Sequence, residues 1–185
     1  MGQIGIILPL LAAPAAGVCH WYTGCVGVLV LDSSALITLA GADALGLLSL
    51  SRLSPYTVTE VYRETVESAL GRPGTDAIDR CFKERLISIQ DPRREQKLTG
   101  ISQTDSLVLL LAAEVVADDF LSNDRTLVRK AGQQGLAAHF TAEFVHHLWE
   151  ADRISRERRD GLIENFVVRR RYSRRFVDLL FLRSQ

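Results

Sequence analysis

From residue 26 onward, apolar and polar positions fall into blocks whose period keeps changing. VGVLVL (26–31) is a solid, β-branched apolar run that stops at a single acid, Asp32. A short run without alternation predicts a strand buried on both faces. Ser33 or Ser34 can N-cap a helix reaching about Ala40, and Asp43 can cap another, ALGLLSLSRL, that ends before Pro55. YTV (56–58) reads as a short strand. TEVYRETVESAL (59–70) changes to a helical period, with Val61, Thr65, Val66 and Ala69 on its inner side. GRPG (71–74) is a turn. TDAIDRCFKER continues as helix, LISIQ (86–90) is a strand, and DPRREQKLTG (91–100) is a polar loop. A helix then starts at Ser102 or Thr104 and runs through SLVLLLAAEVVA, apolar on every face and therefore predicted to be central. DFLS (119–122) is a strand, NDRTLVRKAG (123–132) a helix closed by Gly132, and LAAHF (136–140) a last strand. Three helices follow, in TAEFVHHLWEADR, ISRERRDGLIENFVV and YSRRFVDLLFL.

Strands that alternate with helices predict an α/β fold with right-handed crossovers and a mainly parallel sheet covered on both faces. Ligands of such folds sit beyond the carboxyl ends of the strands.

The chain has 185 residues, 47% hydrophobic and 24% charged, with a net charge of zero. That length supports one domain with its own core, and zero net charge excludes a global field drawing the chain to nucleic acid or membrane. The charge is uneven. Residues 1–150 hold 12 basic and 17 acidic residues, and residues 151–185 hold 10 basic and 5 acidic. Cys19, Cys25 and Cys81 form no C-x-x-C pair, which points to reduced thiols in a cytoplasmic protein and away from a disulfide or zinc framework. Residues 1–31 contain no charged side chain. The apolar stretch IGIILPLLAAPAAGV lacks the positive flank of a signal peptide. Pro9, Pro14, Gly5 and Gly17 interrupt it as a membrane span. The expected organisation is an apolar extension at 1–25, or a start assigned too far upstream, then an α/β domain at 26–150 and a basic helical appendage at 151–185.

The acids have a pattern. Asp32 ends the first strand, Asp124 follows the strand at 119–122, Asp105 lies in the first turn of the all-apolar helix, and Glu60 and Glu64 share one face of a helix. Each has a plain structural role open to it: a strand-end polar group, an N-cap, a helix-dipole partner, a solvated face. As a set they converge on one sheet edge. Carboxylates brought together repel and need cations, and hard divalent ions with oxygen ligands are the usual solution. Such ions can activate water against a phosphodiester.

VLVLDSSALITLA, VYRE, TDSLVLLLA and FLSNDRTLVRKAGQQGL, in that order, resemble the PIN-domain family over roughly residues 27–150. The resemblance implies a three-layer α/β/α sandwich and a Mg²⁺- or Mn²⁺-dependent ribonuclease. It implies Asp32, Glu64, Asp105 and Asp124 as metal-holding acids, with Glu60 in reserve for Glu64, and Ser33 and Asn123 as polar support. Family members include VapC-like toxins, covered by a small antitoxin, and housekeeping RNA-processing nucleases; many form homodimers. The 31 residues before Asp32 depart from the family, whose members mostly begin close to that acid. A PIN-like module that has lost catalysis and only binds RNA or protein is the contrasting reading. A haloacid-dehalogenase-like phosphatase would want an acid where Ser34 stands, and a receiver domain would want an acidic neighbour for Asp32.

In the tail, RERR (156–159) and VVRRRYSRR (167–175) cluster arginines around one tyrosine. Arg170, Arg171 and Arg174 can pair RNA phosphates and Tyr172 can stack on a base. The alternatives are the wet side of a packing helix and contact with a protein partner.

Overall fold

The computed structural model describes residues 27–169 and 171–182. The apolar extension at 1–25, with Cys19 and Cys25, lies outside the described residues, as does Arg170. Five strands form one sheet: β1 (Gly27–Leu31), β2 (Leu53–Thr57), β3 (Ser88–Ile89), β4 (Asp119–Leu121) and β5 (Ala138–His139). Their order is β3-β2-β1-β4-β5, and every pairing is parallel. Between and after the strands run α1 (Ser33–Gly41), α2 (Thr59–Tyr62), α3 (Thr75–Lys83), α4 (Gln103–Glu114), α5 (Arg125–Gln133), α6 (Thr141–Glu150), α7 (Arg156–Val168) and α8 (Arg174–Leu182). This is the α/β architecture the alternating pattern predicts.

The order of strands says where the helices lie. The chain steps outward from β1 through β2 to β3, then returns to the other side of β1 for β4 and β5. With right-handed crossovers, the helices of the first two connections cover one face, and α4 and α5 cover the other. The direction reverses between β1 and β4. That reversal opens a crevice at their carboxyl ends, where Asp32 and residues 122–124 stand.

The core explains why the strands are solid apolar runs. Leu29, Val30 and Leu31 of β1 and Phe120 and Leu121 of β4 are fully buried. Helix α4 buries Leu107, Val108, Leu109, Leu111 and Ala112, as a helix apolar on every face must. Leu162, Ile163 and Phe166 of α7 join the same buried cluster, so the appendage packs onto the domain through α6.

Three elements differ from the pattern reading. ALGLLSLSRL is not an α-helix; Leu45–Leu50 form a 3-10 helix, and β2 begins at Leu53 and runs through Pro55. Pro55 is tolerated for a geometric reason. The Thr57 carbonyl accepts from the Gln90 amide on the β3 side, so Pro55, two residues earlier, faces that side too. There β3 pairs only from Tyr56 onward, and the missing N–H of Pro55 has no strand to serve. The helix expected over 59–70 changes at Arg63 into a π-helical turn, Arg63–Glu67, and stops there.

Candidate functional site

Asp32 is the N-cap of α1. Its carboxylate accepts from the Ala35 amide at 2.8 Å, from the Ser34 hydroxyl at 2.9 Å and from the Ser122 hydroxyl at 2.7 Å. It is 3% exposed. Burial is the main influence on it and pushes its pKa up to about 6, against the pull of these three donors; the charge of Asp105 pushes in the same direction as burial. None of the three donors is a cation. A carboxylate that loses its solvent and gains only neutral donors is short of positive charge.

Ser122, at the end of β4, joins two of the predicted acids. It donates to Asp32 through its hydroxyl and accepts the Asp124 amide at 3.0 Å on the same oxygen. Asp124 is exposed at the N-terminus of α5 and accepts from the Thr126 and Leu127 amides at 2.6 and 3.2 Å. Asp105 is half-buried in the first turn of α4, in a capping box with Ser102. Glu64 is the second residue of the π-helical turn and accepts from the Thr104 hydroxyl at 2.6 Å, beside Asp105. Glu60 instead pairs with Arg63 on its own helix. Hydrogen bonds thus join Glu64 to Thr104, next to Asp105, and join Asp32 through Ser122 to Asp124, while Asp105 reaches Asp32 through its charge.

The arrangement is not a closed cage. Among the described residues, no three His, Cys, Asp or Glu side chains stand close enough together to hold one ion between them. The donor set is nevertheless all oxygen, as Mg²⁺ or Mn²⁺ requires. Mg²⁺ commonly takes one or two carboxylates and completes its sphere with water, a demand this edge can meet.

Asn123 is more deeply engaged than a polar neighbour. Its amide donates to the Ser34 hydroxyl at 2.8 Å. Its side-chain Nδ2 donates to Thr38 Oγ1 at 2.6 Å and to the Ser34 carbonyl at 3.4 Å. Its Oδ1 accepts from the Thr141 amide and hydroxyl at 3.1 and 2.9 Å, and from the Tyr172 hydroxyl. Ser33 begins α1, half-buried; the hydroxyl that reaches Asp32 is that of Ser34, one residue on.

The sequence offered Ser34 and Thr104 only as helix-start candidates, and none of Ser34, Ser122 and Thr104 as a site residue. Ser34 had a usable signal: residue N2 of a helix capped by Asp32 sits over the cap carboxylate. Ser122 and Thr104 touch the acids only through the sheet order and the packing of α4, which spacing along the chain does not show.

The tail residues separate. Arg171 is exposed. Arg174 pairs with Glu164. Tyr172, read above as a base-stacking ring, is 7% exposed and packs on Phe140, Phe166 and Phe176. Its ring has no free face for a base in this arrangement. A cavity of about 620 Å³ opens between α6, α7 and α8, but its lining contains none of the four acids. Its cations are already engaged, Arg159 with Asp160 and over Trp149, and Arg174 with Glu164.

A model of the PIN-domain family DUF3368 matches residues 28–177. Among solved structures, the chain is similar to a PilT N-terminus domain protein of the hyperthermophilic archaeon Sulfolobus solfataricus P2. Identity is 17% and the TM-score 0.52, over 69% of this chain and 96% of that one. No curated protein matches. Among the described residues, no helix is long and apolar enough to cross a membrane.

Proposed function

The chain belongs to the PIN-domain family, whose members are generally nucleases, and on that premise we propose that it is a divalent-metal-dependent ribonuclease. Asp32, Glu64, Asp105 and Asp124 are the residues that would hold Mg²⁺ or Mn²⁺. The observation that carries this reading is the buried Asp32 carboxylate at the β1–β4 crevice. Its partners there are neutral, and the other acids are strung to either side of it.

When bound, a divalent ion at such acids supplies an activated water and charge stabilisation for phosphodiester hydrolysis. The chain's own residues do the rest. Ser34, Ser122 and the Ala35 amide fix the orientation of the Asp32 carboxylate. Ser122 ties Asp124 to it. Thr104 holds Glu64 against the start of α4, which favours Glu64 over Glu60. The positive end of the α4 dipole favours negative charge at this edge.

A toxin of a VapBC-type pair and a housekeeping RNA-processing nuclease would share these acids. They differ in RNA target, and in whether a small antitoxin binds. A second copy of the chain is a further partner to test for.

The test is RNA cleavage by purified protein with Mg²⁺, Mn²⁺ or EDTA, wild type beside Asp32→Asn and Asp105→Asn. Metal-dependent cleavage abolished in both variants is the expected result. Mn²⁺ binding without cleavage of varied RNAs would assign a catalytically silent binding module. A wild type that binds no Mn²⁺ and cuts identically in EDTA would overturn the site.

A further inference from the structure

The C-terminal appendage touches the acid site from behind. Tyr172 and Phe176 stack at 5.5 Å with 13° between their planes. The Tyr172 hydroxyl donates to Asn123 Oδ1. Burial pushes this phenol well above its ordinary pKa, so it stays protonated and able to donate. Phe176 lies under the Arg125 guanidinium, 4.6 Å from ring centroid to carbon. Residues 123 and 125 are therefore both gripped from the appendage, one on each side of Asp124.

We infer that Tyr172 and Phe176 are positioning residues for the acid-bearing loop 122–124, a role that deepens, and rests on, the metal-dependent reading of that loop. The coupling path is short. Tyr172 fixes Asn123; Asn123 holds Ser34 through its amide and Thr38 through its side chain; Ser34 holds Asp32. On the other side, Phe176 occupies the Arg125 cation, while Asp124 accepts from the Thr126 and Leu127 amides. A guanidinium released from Phe176 would be free to turn toward the carboxylates and compete with a metal. The appendage is thus part of the site's scaffold, and the segment that composition marks as an RNA-binding tail has its aromatic residues turned inward. The family match agrees, since it extends to residue 177 and so includes both rings.

The experiment uses the full chain with Tyr172→Phe, which keeps the ring, and Phe176→Leu, which keeps apolar bulk. Ile78→Val, in the buried core on α3, serves as a control for general destabilisation. Amide hydrogen exchange is followed in the metal-free proteins, and Mn²⁺ affinity by calorimetric titration. Both ring variants should speed exchange at residues 122–127 and weaken Mn²⁺ binding about 10-fold, the lower end of what outer-shell partners contribute. Ile78→Val should do neither. Unchanged exchange at 122–127 in Tyr172→Phe overturns the inference. Faster exchange with unchanged Mn²⁺ affinity also overturns it, leaving the rings as packing only. A wild type that binds no Mn²⁺ sinks the metal reading instead. In that case local loosening at 122–127 in the ring variants still upholds the strut, and its absence still removes it.

Discussion

Asp32 puts a carboxylate where burial resists its charge. Its folded pKa, about 6, lies above the ordinary 3.8. The folded chain therefore holds this proton more tightly than the unfolded one, and the group's contribution to stability is full below about pH 4. It is lost as pH rises through about 6. Two units correspond to roughly 3 kcal/mol as an upper bound. Asp32→Asn should therefore stabilise the metal-free protein by about 1–3 kcal/mol at pH 8, with the gain shrinking toward pH 4, while removing metal-dependent cleavage. Urea denaturation of both proteins at several pH values checks this. A variant less stable than wild type at pH 8 would mean that the carboxylate's hydrogen bonds outweigh its desolvation. Asp32 was legible in the sequence because it breaks an apolar run at a strand end. Tyr172 was not. Arginines at 169–171, 174 and 175 surround it, and the groups that bury it, Phe140 and Asn123, come from distant positions in the chain.

Among the elements, the π-helical turn at Arg63–Glu67 bears on the choice between Glu64, which the family resemblance favours, and Glu60, its reserve one helical turn earlier. Hydrogen bonding to a fifth residue widens the turn and is a feature often found at functional sites. Here Glu64 lies in the first part of that turn and meets Thr104 of α4, while Glu60 stays with Arg63. Glu64→Gln should lower metal-dependent cleavage at least 10-fold, and Glu60→Gln should leave it within about 2-fold, because an exposed i,i+3 pair contributes little. Equal losses in the two variants would show that the helix face, and not Glu64, matters. Helix α4 carries a second expectation. Leu109 is fully buried among strands and helices, so Leu109→Ala should destabilise by about 2–5 kcal/mol in chemical denaturation. Both elements were visible in the sequence as helices. The π-turn was not, because one extra residue in a turn leaves the apolar period nearly unchanged over so short a helix. The strand at Leu53–Thr57 was masked by Pro55, whose missing N–H matters only if a neighbouring strand lies beside it.

At the scale of the whole molecule, sheet order brings Asp32 and residues 122–124 to one edge, and the appendage packs on the domain through α6. The alternation of strands and helices made the parallel sheet legible, but not the order β3-β2-β1-β4-β5, which no local period encodes. Nor did charge reveal the role of residues 151–185, since their basic excess describes only the wet face. The buried face of this segment carries Leu162, Ile163, Phe166, Tyr172 and Val177, and α7 packs along α6. Ending the chain after Glu150 would uncover the matching surface of α6, including the contacts around Phe140, and leave Asn123 without its tyrosine. It would also leave 12 basic against 17 acidic residues, an excess that repels RNA. The truncated chain should therefore lose cooperative thermal unfolding and bind a hydrophobic dye, with cleavage lost along with them. An alternative outcome separates the two possible uses of the tail. If the truncated chain unfolds cooperatively near the wild-type midpoint but binds RNA more weakly, with a shallower salt dependence, the arginines are an RNA contact and the buried rings are dispensable. If folding itself fails, the rings of α7 and α8 belong to the domain, and the arginines serve mainly to keep its outer surface in water.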